Sequence, residues 1–260
     1  MSVLIEETRD GVARLTMNRP QQLNSLTSEL CASLNDSLTR AAADSAIRCV
    51  LLTGAGRAFC AGQDLDDIGL DTKTPRQIKD ILEYDINPII RLIRGMDKPV
   101  VCAVNGVAAG AGANIAFCAD IVIAAASARF IQAFRHIGLI PDAGGSWLLP
   151  RLAGNARALG MALLGEPLNA EKAEQWGLIW KSVADDEFID EVEKIVSSLA
   201  TGPTTALGMT KRAFIESAGH SLMEHLNLER DFQQAASTTE DYKEGINAFM
   251  NKRKAQFHGR

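Results

Sequence analysis

The stretch VVCAVNGVAAGAGANIAFCADIVIAA, residues 100–125, decides how the chain is put together. Val100 to Val104 is an unbroken apolar run that stops at Asn105-Gly106, as expected of a strand buried on both faces whose end opens into a loop. Ala113 to Ala119 reads as a helix, and Ile121 to Ala125 as the next buried strand. Working outward, Cys49 to Thr53 repeats the pattern and ends at Gly54-Ala55-Gly56. Buried strands separated by helical stretches predict an α/β core with a largely parallel central part.

The ends differ in character. Val3 to Glu6 and Val12 to Met17 alternate apolar and polar side chains around Asp10-Gly11, the pattern of a hairpin. After Asn18-Arg19-Pro20, the segment Ser25 to Ala42 places Leu26, Leu30, Leu34, Leu38 and Ala41 at helical spacing. Beyond Pro150, helices are expected over Asn155 to Leu164, Ala170 to Trp176, Glu187 to Leu199 and Thr204 to Ser217, with a short apolar run at Gly177 to Val183.

With 260 residues, 47% of them hydrophobic, the chain can bury a full core without disulfides or metal. Its five cysteines are scattered singly, which suits a reducing compartment and neither a zinc site nor a disulfide framework. The start, MSVLIEETRDGVARL, lacks the basic and apolar regions of a secretion signal, so a cytoplasmic setting is expected. The apolar stretch from Val100 to Ala128 is broken by Asn105, three glycines and Asp120, a poor membrane span. A formal net charge of −5 argues against nucleic acid as a partner, although the tail NKRKAQFHGR is locally basic.

Two small-residue segments are candidates for chemistry. Phe59 to Leu65 follows a strand, and Asn105 to Ala113 lies between a strand and a helix. Together they can supply two backbone N–H donors for an oxyanion, one near the positive end of a helix. They can equally be tight turns in which glycine and alanine only permit close packing. Neither a phosphate-binding P-loop nor a metal-ligand cluster is visible in the sequence.

Several segments, in order along nearly the whole chain, resemble the enoyl-CoA hydratase/isomerase (crotonase) family. They are Asn18-Arg19-Pro20 with Leu23 to Leu26, Gly54 to Leu65, Lys98 to Ala113, Ala119-Asp120-Ile121, and Phe249 to Phe257. The resemblance implies a crotonase-like spiral core of ββα turns over residues 1–200 and a helical oligomerisation region over 201–260, assembled as a homotrimer or a dimer of trimers. It implies an acyl-CoA substrate, with CoA carried as part of that substrate and no separate cofactor or metal. The thioester carbonyl would accept bonds from the Gln63 and Ala111 N–H groups, with Ala61, Asp64 and Leu65 beside the CoA ester. In the family the C-terminal tail approaches the CoA phosphates, often from a neighbouring subunit, which makes Phe249 and Lys252 candidates; a terminal basic run is otherwise a solvated end.

The family's hydratases carry one glutamate in the helix after the glycine-rich loop and a second some twenty residues on. Here those positions hold Asn114 and Phe134, and neither can act as acid or base. Asp142, in Leu139-Ile140-Pro141-Asp142-Ala143-Gly144-Gly145, is the replacement: a carboxylate at the rim of an apolar site, whose pKa burial would raise. It can also be a turn or helix-cap aspartate, and both can hold. Its surroundings resemble the family members that rearrange ring epoxides or shift double bonds, which assigns Asp142 the removal and return of a proton next to the thioester.

Other readings remain open. Phe134 lines an acyl pocket or is plain core. His136 is a surface or structural residue, or a catalyst; contact with the acyl ring would favour aryl-CoA dehalogenation through Asp142. Cys60 and Cys102 lack a local base. Besides an isomerase, the chain can be a hydratase, a dehalogenase, or a non-catalytic CoA-ester-binding scaffold with a pathway-enzyme partner.

Overall fold

The computed structural model describes residues 2–69, 72 and 74–260. Strands β1 (Leu4–Arg9) and β2 (Val12–Met17) pair antiparallel with Arg9 opposite Val12. Asp10 and Gly11 turn between them with φ of +52° and +74°, the paired positive values of the hairpin turn that Asp-Gly favours. Helix α1 (Ser28–Ala43) begins three residues later than its apolar spacing suggested, because the Thr27 hydroxyl caps it by accepting the Leu30 N–H at 3.2 Å.

A repeating order then follows. β3 (Cys49–Gly54) and β4 (Ala58–Cys60) lead into α2 (Leu65–Ile68) and a long helical run made of α3 (Ile78–Asp80), a π-helical segment Ile81–Ile86 and α4 (Asn87–Gly95). β5 (Val100–Val104) and β6 (Val107–Ala109) lead into α5 (Ala111–Cys118). β7 (Ile121–Ala125) and β8 (Arg129–Ile131) lead through a 3-10 turn, Ala133–Ile137, into α6 (Gly145–Ala153) and α7 (Asn155–Leu164). In each turn the first strand joins one sheet and the second joins another, which is the spiral of ββα turns. The larger sheet has the order β1-β2-β3-β5-β7-β10, with β10 spanning Lys181–Val183 and every pair from β2 onward parallel. The smaller has the order β4-β6-β8-β9, with β9 spanning Leu168–Asn169 and followed by α8 (Ala170–Gln175).

Alternation along the central strands divides the core. Val50, Leu52, Val100, Cys102 and Val104 pack inward with α1, α5 and the small sheet's Phe59 and Phe130. Cys49, Leu51, Val101 and Ala103 face Phe188, Val192 and Val196 of α9 (Phe188–Ala200). A strand covered on both sides needs apolar residues at every position, hence the unbroken runs in the sequence. Only the last three residues of the Gly177 to Val183 run form strand.

Beyond Ala200, the described residues form helices α10 (Thr204–Glu216), α11 (Leu222–Ser237) and α12 (Glu240–Met250), and a tail that folds back. Arg48, just before β3, holds both: its guanidinium donates to the Thr204 hydroxyl at 2.9 Å, to the Phe257 carbonyl at 2.9 Å, and to the Gly202 carbonyl. No described helix is long and apolar enough to cross a membrane.

Candidate active site

The end of β4 and the start of α5 are pressed together, and glycine makes this possible. A Cβ on Gly62, at φ +92°, would lie 2.8 Å from the Ala109 carbonyl oxygen and 3.5 Å from the Ala111 nitrogen. One on Gly112 would lie 2.4 Å from the Cys60 carbonyl oxygen. Side chains at these positions would force the loops apart. Gln63 follows Gly62, and Ala111 is the first residue of α5. The helix therefore starts two residues before the position expected from the apolar pattern, and this places the Ala111 N–H among the donors a helix leaves free at its start. Among the described residues neither the Gln63 nor the Ala111 N–H bonds to another group of the chain.

The Asn18 to Leu26 segment braces this arrangement. The Leu26 N–H donates to the Gly62 carbonyl at 2.7 Å, and the Leu26 carbonyl accepts the Asp64 N–H at 2.9 Å. Asn24, buried at φ +56°, donates to the Ala58 carbonyl at 2.8 Å and accepts the Arg19 N–H at 2.9 Å. Asp64 belongs to the same brace. Its carboxylate accepts the Arg19 guanidinium and the Ser25 hydroxyl, each at 2.8 Å, and the Asp66 N–H at 3.1 Å at the start of α2. Burial alone would raise its pKa, but the bonds from Arg19 and Ser25 prevail and hold it below the usual carboxylate range. The side chain of Asp64, a residue expected beside the CoA ester, is thus turned into the protein, and Asp64 is not among the residues lining the cavity described below.

Asp142 stands where the 3-10 turn gives way to α6. Ala143, at φ +48°, and Gly144, at φ +79°, bend the backbone, and the Gly145 N–H closes the turn on the Asp142 carbonyl at 2.7 Å. Asp142 Oδ1 is buried with no hydrogen-bond partner among the described residues. Burial pushes the pKa up to about 6, against a pull downward from its own N–H. The side chain does not cap α6, and a largely buried carboxylate of this kind serves well as a proton acceptor near neutral pH.

These pieces share a cavity of about 210 Å³, lined by Ala61, Gln63, Leu65, Ala111 and Asp142 of the expected site residues. Its other walls are mainly apolar: Ile68, Ile81, Leu82, Ile86, Phe134 and Leu139. Three of these come from the π-helical segment, whose wide turn is a form often found at functional sites. Phe134 is 6% exposed and also packs near Gly110, so it is both core and pocket wall. His136 lines the cavity too, with Nε2 3.4 Å from the Gly165 carbonyl.

Other candidates lie elsewhere. Phe249 is 81% exposed near the end of α12, and Lys252 follows it at φ +51°; neither lines the cavity of its own chain. The adjacent Arg253 is paired with Glu244 at 2.5 Å and 2.8 Å. Burial pushes the Cys60 thiol up to about 12 and raises the Cys102 thiol as well, so both are inert. Sequence reasoning missed the π-helical wall and the buried Gln132, which hydrogen-bonds Asn114.

Residues 7–260 match the family model described as enoyl-CoA hydratase/isomerase. The chain is 49% identical to the 1,2-epoxyphenylacetyl-CoA isomerase of Escherichia coli (strain K12), with 100% of each chain covered. It is 44% identical to a Rhodobacter capsulatus protein named "Probable enoyl-CoA hydratase", covering 98% of this chain and 97% of that one. Among solved structures, the enoyl-CoA hydratase of Bacillus anthracis superimposes with a TM-score of 0.91 at 28% identity, covering 99% of this chain and 100% of that one.

Proposed function

Because the chain belongs to the enoyl-CoA hydratase/isomerase family, we propose that it is an acyl-CoA isomerase, with Asp142 moving a proton next to the thioester while the Gln63 and Ala111 N–H groups hold the enolate oxygen. The observation that carries this reading is a buried carboxylate, with Oδ1 unpartnered among the described residues, in a mainly apolar cavity beside the Gln63 and Ala111 N–H groups, which bond to nothing else described. Asn114 and Phe134 stand where hydratases carry glutamates, and among the described residues lining the cavity Asp142 is the one carboxylate. In a double-bond shift, Asp142 takes a proton from the carbon next to the thioester, the charge passes to the thioester oxygen, and the proton returns further along the chain. No atom is gained or lost, and Asp142 ends as it began.

The preferred substrate in this reading is ring-1,2-epoxyphenylacetyl-CoA, rearranged to the oxepin-CoA, with 3-enoyl-CoA esters as a second class. The name of the E. coli relative supports it. So does size: a cavity of about 210 Å³ exceeds the roughly 150 Å³ that admits benzene in an apolar protein interior. CoA would lie outside the cavity, with Phe249 and Lys252 reaching it from a neighbouring subunit of a trimer. Exposed apolar residues on the last helices, among them Phe214, Leu222, Met223 and Met250, support such an assembly.

The test is turnover by the purified protein of the epoxide, of a 3-enoyl-CoA and of crotonyl-CoA with water. Conversion of the first two with negligible hydration is expected; hydration at an ordinary enzymatic rate would replace this reading with a hydratase. The base must be ionised, so kcat/KM should rise with pH through about 6 and level off above it. A profile flat from pH 5 to 8 would remove Asp142 from the role of base.

A further inference from the structure

The position that a hydratase fills with a glutamate is not idle in this chain. Asn114, wholly buried on α5, donates from Nδ2 to the Asp142 carbonyl at 2.9 Å and accepts at Oδ1 the Gln132 amide, at 2.8 Å. Gln132 is itself wholly buried, and its Oε1 has no partner among the described residues, so its orientation rests on Asn114. The turn fits over this amide closely: a Cβ on Gly145 would lie 2.2 Å from Asn114 Nδ2. Asn114 is not among the residues lining the cavity.

We infer that Asn114, held by Gln132, is a positioning residue that pins the Asp142 to Gly145 turn, so that the Asp142 carboxylate stays in the cavity wall with its Oδ1 buried and unpartnered among the described residues. The inference deepens the isomerase reading and rests on it for the effect on rate, although the effect on the carboxylate does not depend on any substrate. The turn needs the pin because Ala143 sits at φ +48°, where a residue with a Cβ is strained and would relax if released. On release, the carboxylate can turn toward water or a backbone N–H, either of which favours its charged form. Cys118 of α5 contacts the Ala143 carbonyl at 3.6 Å and gives a second but weaker hold. His136, on the 3-10 turn, is the other titratable side chain described in the cavity wall.

The experiment measures the Asp142 titration by carboxylate carbon-13 NMR, together with kcat and KM, in wild type, Asn114→Ala and Gln132→Met. In Asn114→Ala the titration and the acid limb of the rate should move down by about one unit. There kcat should fall about tenfold to a hundredfold, the scale of a misplaced catalytic group, with KM within twofold. Gln132→Met should give a smaller change in the same direction, and it carries the test if Asn114→Ala does not fold. A lowered melting temperature with the titration and kcat unmoved would overturn the inference, leaving Asn114 as packing alone. If wild type turns over none of the esters, the isomerase reading fails while the NMR titration still decides whether Asn114 sets the state of Asp142.

Discussion

Asp142→Asn should lower kcat by about 10²- to 10⁴-fold, the range of positioned acid–base catalysis, while leaving KM for the CoA ester close to wild type. The amide keeps the shape of the turn, since the Asp142 contacts to Gly145 and Asn114 run through its backbone carbonyl. What it removes is the basicity. The same change should make the protein more stable. The folded-state pKa is raised from 3.8 to about 6, so from about pH 4 to 6 the unfolded chain ionises this group and the folded chain does not. Wild type therefore loses stability as pH rises through that window, and the loss is complete above it. An asparagine has no charge to desolvate, and the variant should gain on the order of 1–3 kcal/mol at pH 7 and little at pH 4. Urea unfolding at the two pH values, beside turnover at pH 7.5, checks both halves. A variant that kept wild-type kcat would exclude Asp142 as the proton carrier. Equal stability at both pH values would mean that the carboxylate is not held in an apolar site.

Such a trade of stability for reactivity in one side chain is only partly legible in a sequence. The glycine-lined loops offered two N–H donors, but it was the family resemblance that named Gln63 and Ala111 and, with Asn114 and Phe134 at its glutamate positions, turned attention to Asp142. The long strands were legible from the residues themselves: burial on both faces leaves an unbroken apolar run. The small sheet was not, since its strands are two or three residues long, too short for any period to register. The wall from Ile78 to Gly95 was also missed. Its buried Ile81, Ile86, Ile89 and Ile93 are separated by five, three and four residues, and the π-turn produces the five-residue step that breaks the helical pattern. The inward turn of the Asp64 side chain was not legible either, because sequence does not say which way a loop side chain points. Asn114 was recognised only as a missing glutamate, because its partners, Gln132 and the Asp142 carbonyl, become neighbours only in the folded chain.

Ala119-Asp120-Ile121, noted as a landmark, has a role that only the fold makes clear, and it yields the second large effect. Lys211 of α10 enters the protein with its side chain 6% exposed and places Nζ 2.8 Å from Asp120 Oδ2. The same ammonium donates to the Ile93 carbonyl at 2.5 Å and the Lys98 carbonyl at 3.2 Å. Asp120 Oδ2 also accepts the Val100 N–H at 2.8 Å at the start of β5. Burial works against both charges, pushing the Asp120 carboxyl up and the Lys211 ammonium down, so each depends on the other to stay ionised. Lys211→Met would fill much of the space but leave a poorly solvated carboxylate and two carbonyls without their donor. The expected loss is about 3 kcal/mol by urea unfolding, the low end of the cost of breaking a buried pair, because the Asp120 side chain keeps 19% of its exposure. Gly208, one turn earlier, has no room to let α10 adjust, since a Cβ there would lie 2.4 Å from the Asp97 carbonyl oxygen. Because α10 begins the helical region proposed to assemble the trimer, Lys211→Met should also weaken assembly in sedimentation experiments. A loss below about 1 kcal/mol, the level of an exposed ion pair, would mean that water reaches Lys211 and that the docking of α10 rests on its apolar contacts instead.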